Sequence, residues 1–224
     1  NSRAEYFLSQ NSFEAIDSIL DAQKEMISNE NYKNLLNLAK EKNAAIGGSI
    51  SVKEHGKFFN RFYFVLPNGT HEQYDKRHLF SYSGEDKIYT KGNERVIVHY
   101  KGFRVLLQTC YDLRFPELAL TLRSQGANIL TAPSAFTYTT GQMHWQLLLQ
   151  ARAMDSQCQV LGAAQQGWHG EKRQTWGHAG AANSRGQLLA IIENEGTQLI
   201  TVPFDLTEQI KIRESMPLMQ HRRL

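Results

Sequence analysis

Cysteine is scarce in this chain: two residues, Cys110 and Cys158, in 224. Two thiols cannot build the disulfide framework of a small secreted domain, so a reducing cytoplasm is the expected compartment. Long hydrophobic runs are absent, and the N-terminus carries no signal-peptide pattern, which excludes a membrane as partner. Charge of one sign is lacking too: 25 basic against 22 acidic residues leave a net +3. With no basic stripe interleaved with aromatics, nucleic acid is not an expected partner. The sequence holds no HExxH and no CxxC, so no metal site is expected. Its glycine pairs form neither a GxGxxG nor a phosphate-binding loop.

What is present is a globular composition. Hydrophobic residues make up 41%, enough for a sizeable core, and the length suits a single domain over residues 1–224. No repeat or low-complexity linker interrupts it. Residues 1–10 show no clear period. Ser12 as N-cap and Ile16, Ile19, Leu20 and Ala22 predict a short helix, and a second begins near Asn31, with Leu35, Leu36, Leu38 and Ala39 on its apolar side. Strands are expected over 44–52, 58–66, 70–74, 95–100, 103–109, 128–132, 160–164, 179–182, 188–192 and 198–203, with turns such as Pro67-Asn68-Gly69 between them. Helices are expected from Pro116 to about Gln125, over 141–157 and over 206–214, while 170–177 reads as a mobile polar loop. Strands alternate with helices, but many strands come in adjacent pairs. That order predicts a mixed, layered α/β sheet with antiparallel pairs.

One stretch organises the rest. The apolar run Val105-Leu106-Leu107 ends at Gln108-Thr109-Cys110, a polar turn follows, and Pro116 opens a helix. A side chain at such a strand-to-helix turn sits at the end of a sheet, where α/β folds bind small ligands. A cysteine there, near a helix N-terminus, is a candidate nucleophile. It is as well suited to be a small buried core residue. Lys76, in "YDKRHLF", reads either as part of a solvated charged turn or as a partly buried ammonium that stabilises an oxyanion. A buried ammonium requires a partner, and Glu85 in "SGEDKIY" is the candidate. A Cys/His pairing could draw on His78, His99, His144 or His178, whose spacing shows nothing specific.

Several segments together resemble the nitrilase, or carbon–nitrogen hydrolase, superfamily. "TCYDLRFPELAL" resembles its nucleophile segment, "YDKRHLF" its lysine segment and "SGEDKIYTKG" its second-glutamate loop. "TAPSAFTYTTGQMHWQLLLQARAMDSQCQV", "HGEKRQTWGHA" and the tail "MPLMQHRR" are similar to the Nit branch, whose members include deaminated glutathione amidases. "FNRFYFVLPNGTHEQYDKRHLF" is closer to the ω-amidase branch, which acts on 2-oxo-dicarboxylate monoamides. The likeness runs from Gly47 to Arg223.

The resemblance implies a four-layer αββα sandwich and an amidase acting on a small linear amide that bears a carboxylate. Cys110 would attack the amide carbon. Lys76, helped by a backbone N–H such as that of Tyr111, would stabilise the oxyanion, and Glu85 would orient Lys76. Ammonia would leave and water would hydrolyse the thioester, so no cofactor is implied. Ser134, Ala135 and Phe136 would line the substrate pocket, and Arg173 would anchor the substrate carboxylate. Arg114 fits a structural pairing with Glu117 better than substrate binding. A homodimer or larger homo-oligomer would form through residues 117–125 and 144–157, with residues 220–223 crossing to the partner.

The chain departs from the family at its start. The family's general base is a glutamate that ends an early strand in a "PE" context, and the usual first strand–helix–strand unit is not seen here. Ser2-Arg3-Ala4 stands where "PEA" is expected, which puts Arg3 at the base position, with Glu5 two residues away as a candidate substitute. The rival readings are a catalytically impaired binding or assembly protein, or a shortened or chimeric chain without the base.

Overall fold

The structure, a computed structural model, describes residues 3–10 and 27–29 by their backbone, and residues 30–171 and 173–223 in full. The helix expected from Ser12 lies outside these residues.

The first described strand, β1 (Arg3–Gln10), pairs antiparallel with the last, β13 (Gln198–Asp205), over its full length. No apolar period marks this strand, because a strand on a sheet edge is held by backbone pairing and needs none. Helix α1 (Ile27–Glu41) follows, starting earlier than expected. Its inner stripe is Tyr32, Leu35, Leu36 and Ala39, at helical spacing, with Leu35 over Gly48 and Leu36 against Gly69. Leu38, expected on that side, falls outside the stripe and is exposed.

Beneath α1 lies a three-stranded antiparallel sheet, in the order β2 (Ile46–Glu54), β3 (Lys57–Val65) and β4 (His71–Asp75). Its register is pinned by a buried guanidinium. Arg61 Nε and Nη2 donate to both oxygens of Asp75 at 2.7 and 3.0 Å, and Nη2 also reaches Glu54 at 2.8 Å. Fixing Asp75 fixes the end of β4, one residue before Lys76.

The second sheet has six strands in the order β12 (Leu188–Ile191), β11 (Gly180–Ala182), β8 (Gln159–Gly162), β7 (Ile129–Thr131), β6 (Phe103–Leu107) and β5 (Ile97–Tyr100). Its centre, β6–β7–β8, is parallel and its flanks are antiparallel. The central strands are buried on both faces, so they read as continuous apolar runs. One face meets the first sheet, with Phe64 edge-on to Tyr100 at 6.2 Å and Phe62 and Tyr74 in the same core as Val105 and Leu107. The other face carries helices α2 (Pro116–Ser124) and α3 (Tyr138–Ser156), which bury Leu118, Leu122, Trp145, Leu149 and Ala153. The result is the layer order α, β, β, α. On α3, Leu147 and Met154 face outward. Helix α4 (Leu206–Ser215), capped by Asp205 through the backbone N–H groups of Thr207 and Glu208, and a short α5 (Leu218–His221) close the chain.

The segment read as a mobile loop is instead largely a hairpin of β9 (Gln166–His169) and β10 (Arg173–Trp176). Buried His169, bonded through Nε2 to Thr175 Oγ1 at 2.8 Å, ties the two strands together. Its polar residues hid that pairing. Among the described residues no helix is long and apolar enough to cross a membrane.

Candidate active site

Cys110 stands at the carboxyl end of β6, beside the ends of the parallel strands β7 and β8, where ligands bind in α/β sheets. The strand line continues past β6: Gln108 N–H donates to Thr131 O, and Cys110 N–H to Pro133 O at 3.0 Å. At Cys110 the chain turns into a 3-10 helix, Cys110–Arg114, with φ of +50° at the cysteine. A side chain in this left-handed region costs on the order of 1–3 kcal/mol, so the surrounding contacts must hold it.

Lys76 follows β4 and shares its extended line with Tyr74, two residues away, so both point to the second sheet. The lysine is buried, and its Nζ lies 2.6 Å from Glu85 Oε2. Glu85 is held from three sides, since Asn60 Nδ2 donates to Oε1 at 3.0 Å and Phe80 N–H to Oε2 at 2.7 Å. It opens a 3-10 turn after Gly84, whose φ of +79° lets the chain reverse there. The backbone of Lys76 is fixed too: its N–H donates to Asn60 O and its carbonyl accepts from Gly92 N–H, both at 2.9 Å. A side chain on Gly92 would collide with the Asp75 carbonyl.

Electrostatics join these parts. Burial pushes the Cys110 thiol above its ordinary pKa, and Glu85 and Asp112 push the same way, while Lys76 and the Ala135 N–H favour the thiolate. Burial opposes the Lys76 ammonium, but the Cys110 sulfur, Glu85 and Asp112 outweigh it and hold the lysine above its usual pKa. Lys76 is therefore a cation held within the field of the sulfur. Tyr89, raised chiefly by burial, lies within the field of the same Glu85 and Lys76.

Of the remaining residues expected at the site, Ala135 does meet Cys110, through its backbone N–H. Buried Ser134 donates its hydroxyl to Ala132 O at 3.1 Å. Phe136 is buried against Trp145, and Tyr111 is half-buried in the 3-10 turn. Arg173 stands exposed on β10, across from His169. Arg114 is not paired with exposed Glu117. Its Nη2 donates to His144 Nδ1 at 3.1 Å, and its guanidinium lies 5.8 Å from the Tyr111 ring centre and 5.5 Å from that of Phe136.

The histidines are committed elsewhere: His78 Nδ1 to Asp112, His144 to Arg114, and His178 Nδ1 to Trp176 O, while His99 is exposed on β5. Among the described residues no three His, Cys, Asp or Glu side chains could hold a metal. The N-terminal base candidates lie on β1, which the structure describes by its backbone alone. Glu5 stands opposite Pro203 in the β1–β13 register, and Pro203 O accepts from the Gln159 side chain at the start of β8.

Sequence reasoning missed Asp112. It is buried, and its carboxylate accepts from Tyr74 OH, Thr109 N–H, His78 N–H and His78 Nδ1. The spacing Cys-x-Asp at the turn was its only sequence signal.

An αββα sandwich with a buried Lys–Glu pair facing a cysteine at the sheet's edge defines a class of carbon–nitrogen bond hydrolases. Residues 7–214 match the carbon-nitrogen hydrolase family, and the chain belongs to it. It is 40% identical over 185 residues to the nitrilase and fragile histidine triad fusion protein NitFhit of Drosophila melanogaster, covering 79% of this chain and 40% of that protein. It is 39% identical over 160 residues to the deaminated glutathione amidase of Yersinia enterocolitica, covering 67% and 55%. The crystal structure of Caenorhabditis elegans NitFhit superposes with a TM-score of 0.84 at 29% identity, over 98% of this chain and 65% of that one. The chain thus spans about half the length of the curated relatives it matches.

Proposed function

We propose that the chain is the catalytic unit of an amidase that hydrolyses a small linear amide bearing a carboxylate, through a thioester on Cys110. The observation that carries this is the buried Lys76 ammonium, clamped by Glu85 at 2.6 Å and coupled electrostatically to the Cys110 sulfur. The sulfur attacks the amide carbon, and the carbonyl π electrons pass to oxygen. Lys76 and the Tyr111 N–H, in the first turn of the 3-10 helix, receive that oxyanion. Collapse expels ammonia, which takes the thiol's proton and leaves an acyl–sulfur bond. Water then attacks the thioester, the acid departs and the thiol is restored. No step calls for a cofactor.

Because burial raises the thiol's pKa, attack requires a proton acceptor. Both carboxylates acting on Cys110, Glu85 and Asp112, already accept hydrogen bonds on each oxygen. Glu5 is the candidate from the N-terminal segment. Turnover that survives Glu5→Gln removes it from the reaction.

For the substrate carboxylate we place the anchor at Arg114 rather than Arg173. Arg114 carries its charge over the rings of Tyr111 and Phe136, the residues that follow Cys110 and Ala135, with His144 as its hydrogen-bond partner. The fly and Yersinia relatives bear the names of a nitrilase fusion and a deaminated glutathione amidase, which favours deaminated glutathione over a 2-oxo-dicarboxylate monoamide. A homodimer through the outer face of α3 is supported by exposed Met143, Leu147 and Met154. A thiol nucleophile with a second free cysteine fits a reducing cytoplasm.

The test is ammonia release from deaminated glutathione, from α-ketoglutaramate and from an amide without a carboxylate. The proposal expects turnover of the first, abolished in Cys110→Ala. Equal turnover of the uncharged amide removes the carboxylate anchor, and no release from any amide removes the amidase reading.

A further inference from the structure

Lys76 and Cys110 come from different sheets, and neither touches the other's backbone among the hydrogen bonds that hold the two turns. Something must set their spacing. Misplacement by about 1 Å costs on the order of a hundredfold in rate. Asp112 is the group that reaches both turns. Its Oδ2 accepts from Tyr74 OH at 2.7 Å and Thr109 N–H at 3.0 Å. Its Oδ1 accepts from His78 N–H at 3.0 Å and lies 2.7 Å from His78 Nδ1. Tyr74 and His78 flank Lys76 by two residues on either side, and Thr109 and Asp112 itself bracket Cys110. We infer that Asp112 is a positioning residue: its buried carboxylate staples the lysine-bearing turn to the nucleophile-bearing turn and so sets the distance from Lys76 Nζ to Cys110 Sγ.

Charge alone does not account for it. A carboxylate beside Cys110 disfavours the thiolate. The same charge supports the Lys76 ammonium, so its electrostatic effect on the pair is divided. What the carboxylate supplies is acceptor capacity: two oxygens take four donors from three residues on the two turns, in a place where an unsatisfied donor is expensive. Asparagine cannot do the same, since its amide nitrogen would face donors. His78 strengthens the tie by stacking on Phe115, which ends the Cys110 turn, with ring centres 3.9 Å apart. The left-handed φ of Cys110 is held by the same network, because Thr109 N–H is pinned immediately before it.

This inference rests on the nucleophile assignment above, so its test reads the sulfur without a substrate. Iodoacetamide modification of Cys110 is followed by peptide mass spectrometry across pH, in the unaltered protein and in Asp112→Asn and Tyr74→Phe, with melting temperature and, where ammonia release is found, kcat and KM. The charged groups governing the profile are Lys76, Glu85 and Asp112. In Asp112→Asn the lysine moves out of register, so alkylation at pH 7 slows by about tenfold, the profile shifts to higher pH, and kcat falls by about a hundredfold with little change in KM. Tyr74→Phe removes one donor only and gives a smaller shift in the same direction. A profile that moves to lower pH in Asp112→Asn shows a like charge removed with geometry intact, and overturns the inference. An unchanged profile in folded Tyr74→Phe, with only the melting temperature lowered, overturns it too, as the mark of a merely structural residue. If no amide is turned over but the alkylation shifts are seen, the amidase reading fails and the positioning role of Asp112 stands.

Discussion

Lys76 Nζ and Glu85 Oε2 lie 2.6 Å apart, with the lysine end closed to water and the carboxylate held by Asn60 and the Phe80 N–H. Glu85 raises the lysine's pKa both by its charge and by its hydrogen bond. In Glu85→Gln that support is lost, burial prevails, and the lysine deprotonates at a lower pH. If deprotonation of Lys76 limits turnover on the basic side, the basic limb of the kcat profile moves to lower pH. Lys76→Ala removes an oxyanion partner, and kcat falls by roughly 10²–10³. A basic limb unmoved in Glu85→Gln would show that Lys76 does not carry the charge.

The two cysteines should react very differently. Cys110 is partly accessible, whereas Cys158 is buried, donates to Ala127 O at 3.4 Å and has its pKa pushed up by burial. Mass spectrometry after brief iodoacetamide treatment is expected to find label on Cys110 alone. Label appearing first on Cys158 would remove the nucleophile assignment.

Arg114 offers a sharper test of specificity than of rate. Replacing it with Leu keeps the packing against Phe136 and removes the charge. KM for the carboxylate-bearing amide should rise by about tenfold or more, in line with a lost charged hydrogen bond of ~1.5–3 kcal/mol. The uncharged amide should show no such change. Arg173→Leu, on the exposed hairpin, should leave both values as they were.

Away from the site, Asp155 on α3 gives a pH signature of stability. Burial raises its pKa from 3.8 to about 6, against the opposing pull of Arg152. Since the folded state holds this proton more tightly than the unfolded chain, the group favours folding below pH 4, and that benefit fades as pH rises toward 6. Its side chain is 32% exposed, so screening reduces the effect to ~1 kcal/mol. Denaturant unfolding of Asp155→Asn against the unaltered protein should show a flatter dependence between pH 4 and 6. Parallel curves would contradict the shift.

Much of this was readable in the residues. Strand order and the strand-to-helix turn at Cys110 followed from apolar runs broken by Thr109 and Pro116, because central strands buried on both faces leave an unbroken signal. Lys76 and Glu85 were legible from their motif segments, whereas locally each looked like a solvated charge. Asp112 and Arg114 were not legible. Their roles depend on partners 30 or more positions away, Tyr74 and His78 for one and His144 for the other, and no local pattern reports such contacts. β1 and the β9–β10 hairpin escaped notice for a related reason: edge pairings rest on the backbone and leave no apolar alternation. Leu38 lies next to the buried stripe of its helix in sequence but points off it, a phase difference that apolar character alone does not reveal.

The central claim is that Cys110 carries the acyl group. Intact-protein and peptide mass spectrometry of the chain quenched in acid during reaction with deaminated glutathione tests it most directly. The account predicts a mass increase equal to the acyl portion, mapped to Cys110 and absent in Cys110→Ala. Ammonia release that persists in Cys110→Ala, or an adduct mapped to any other residue, would contradict it.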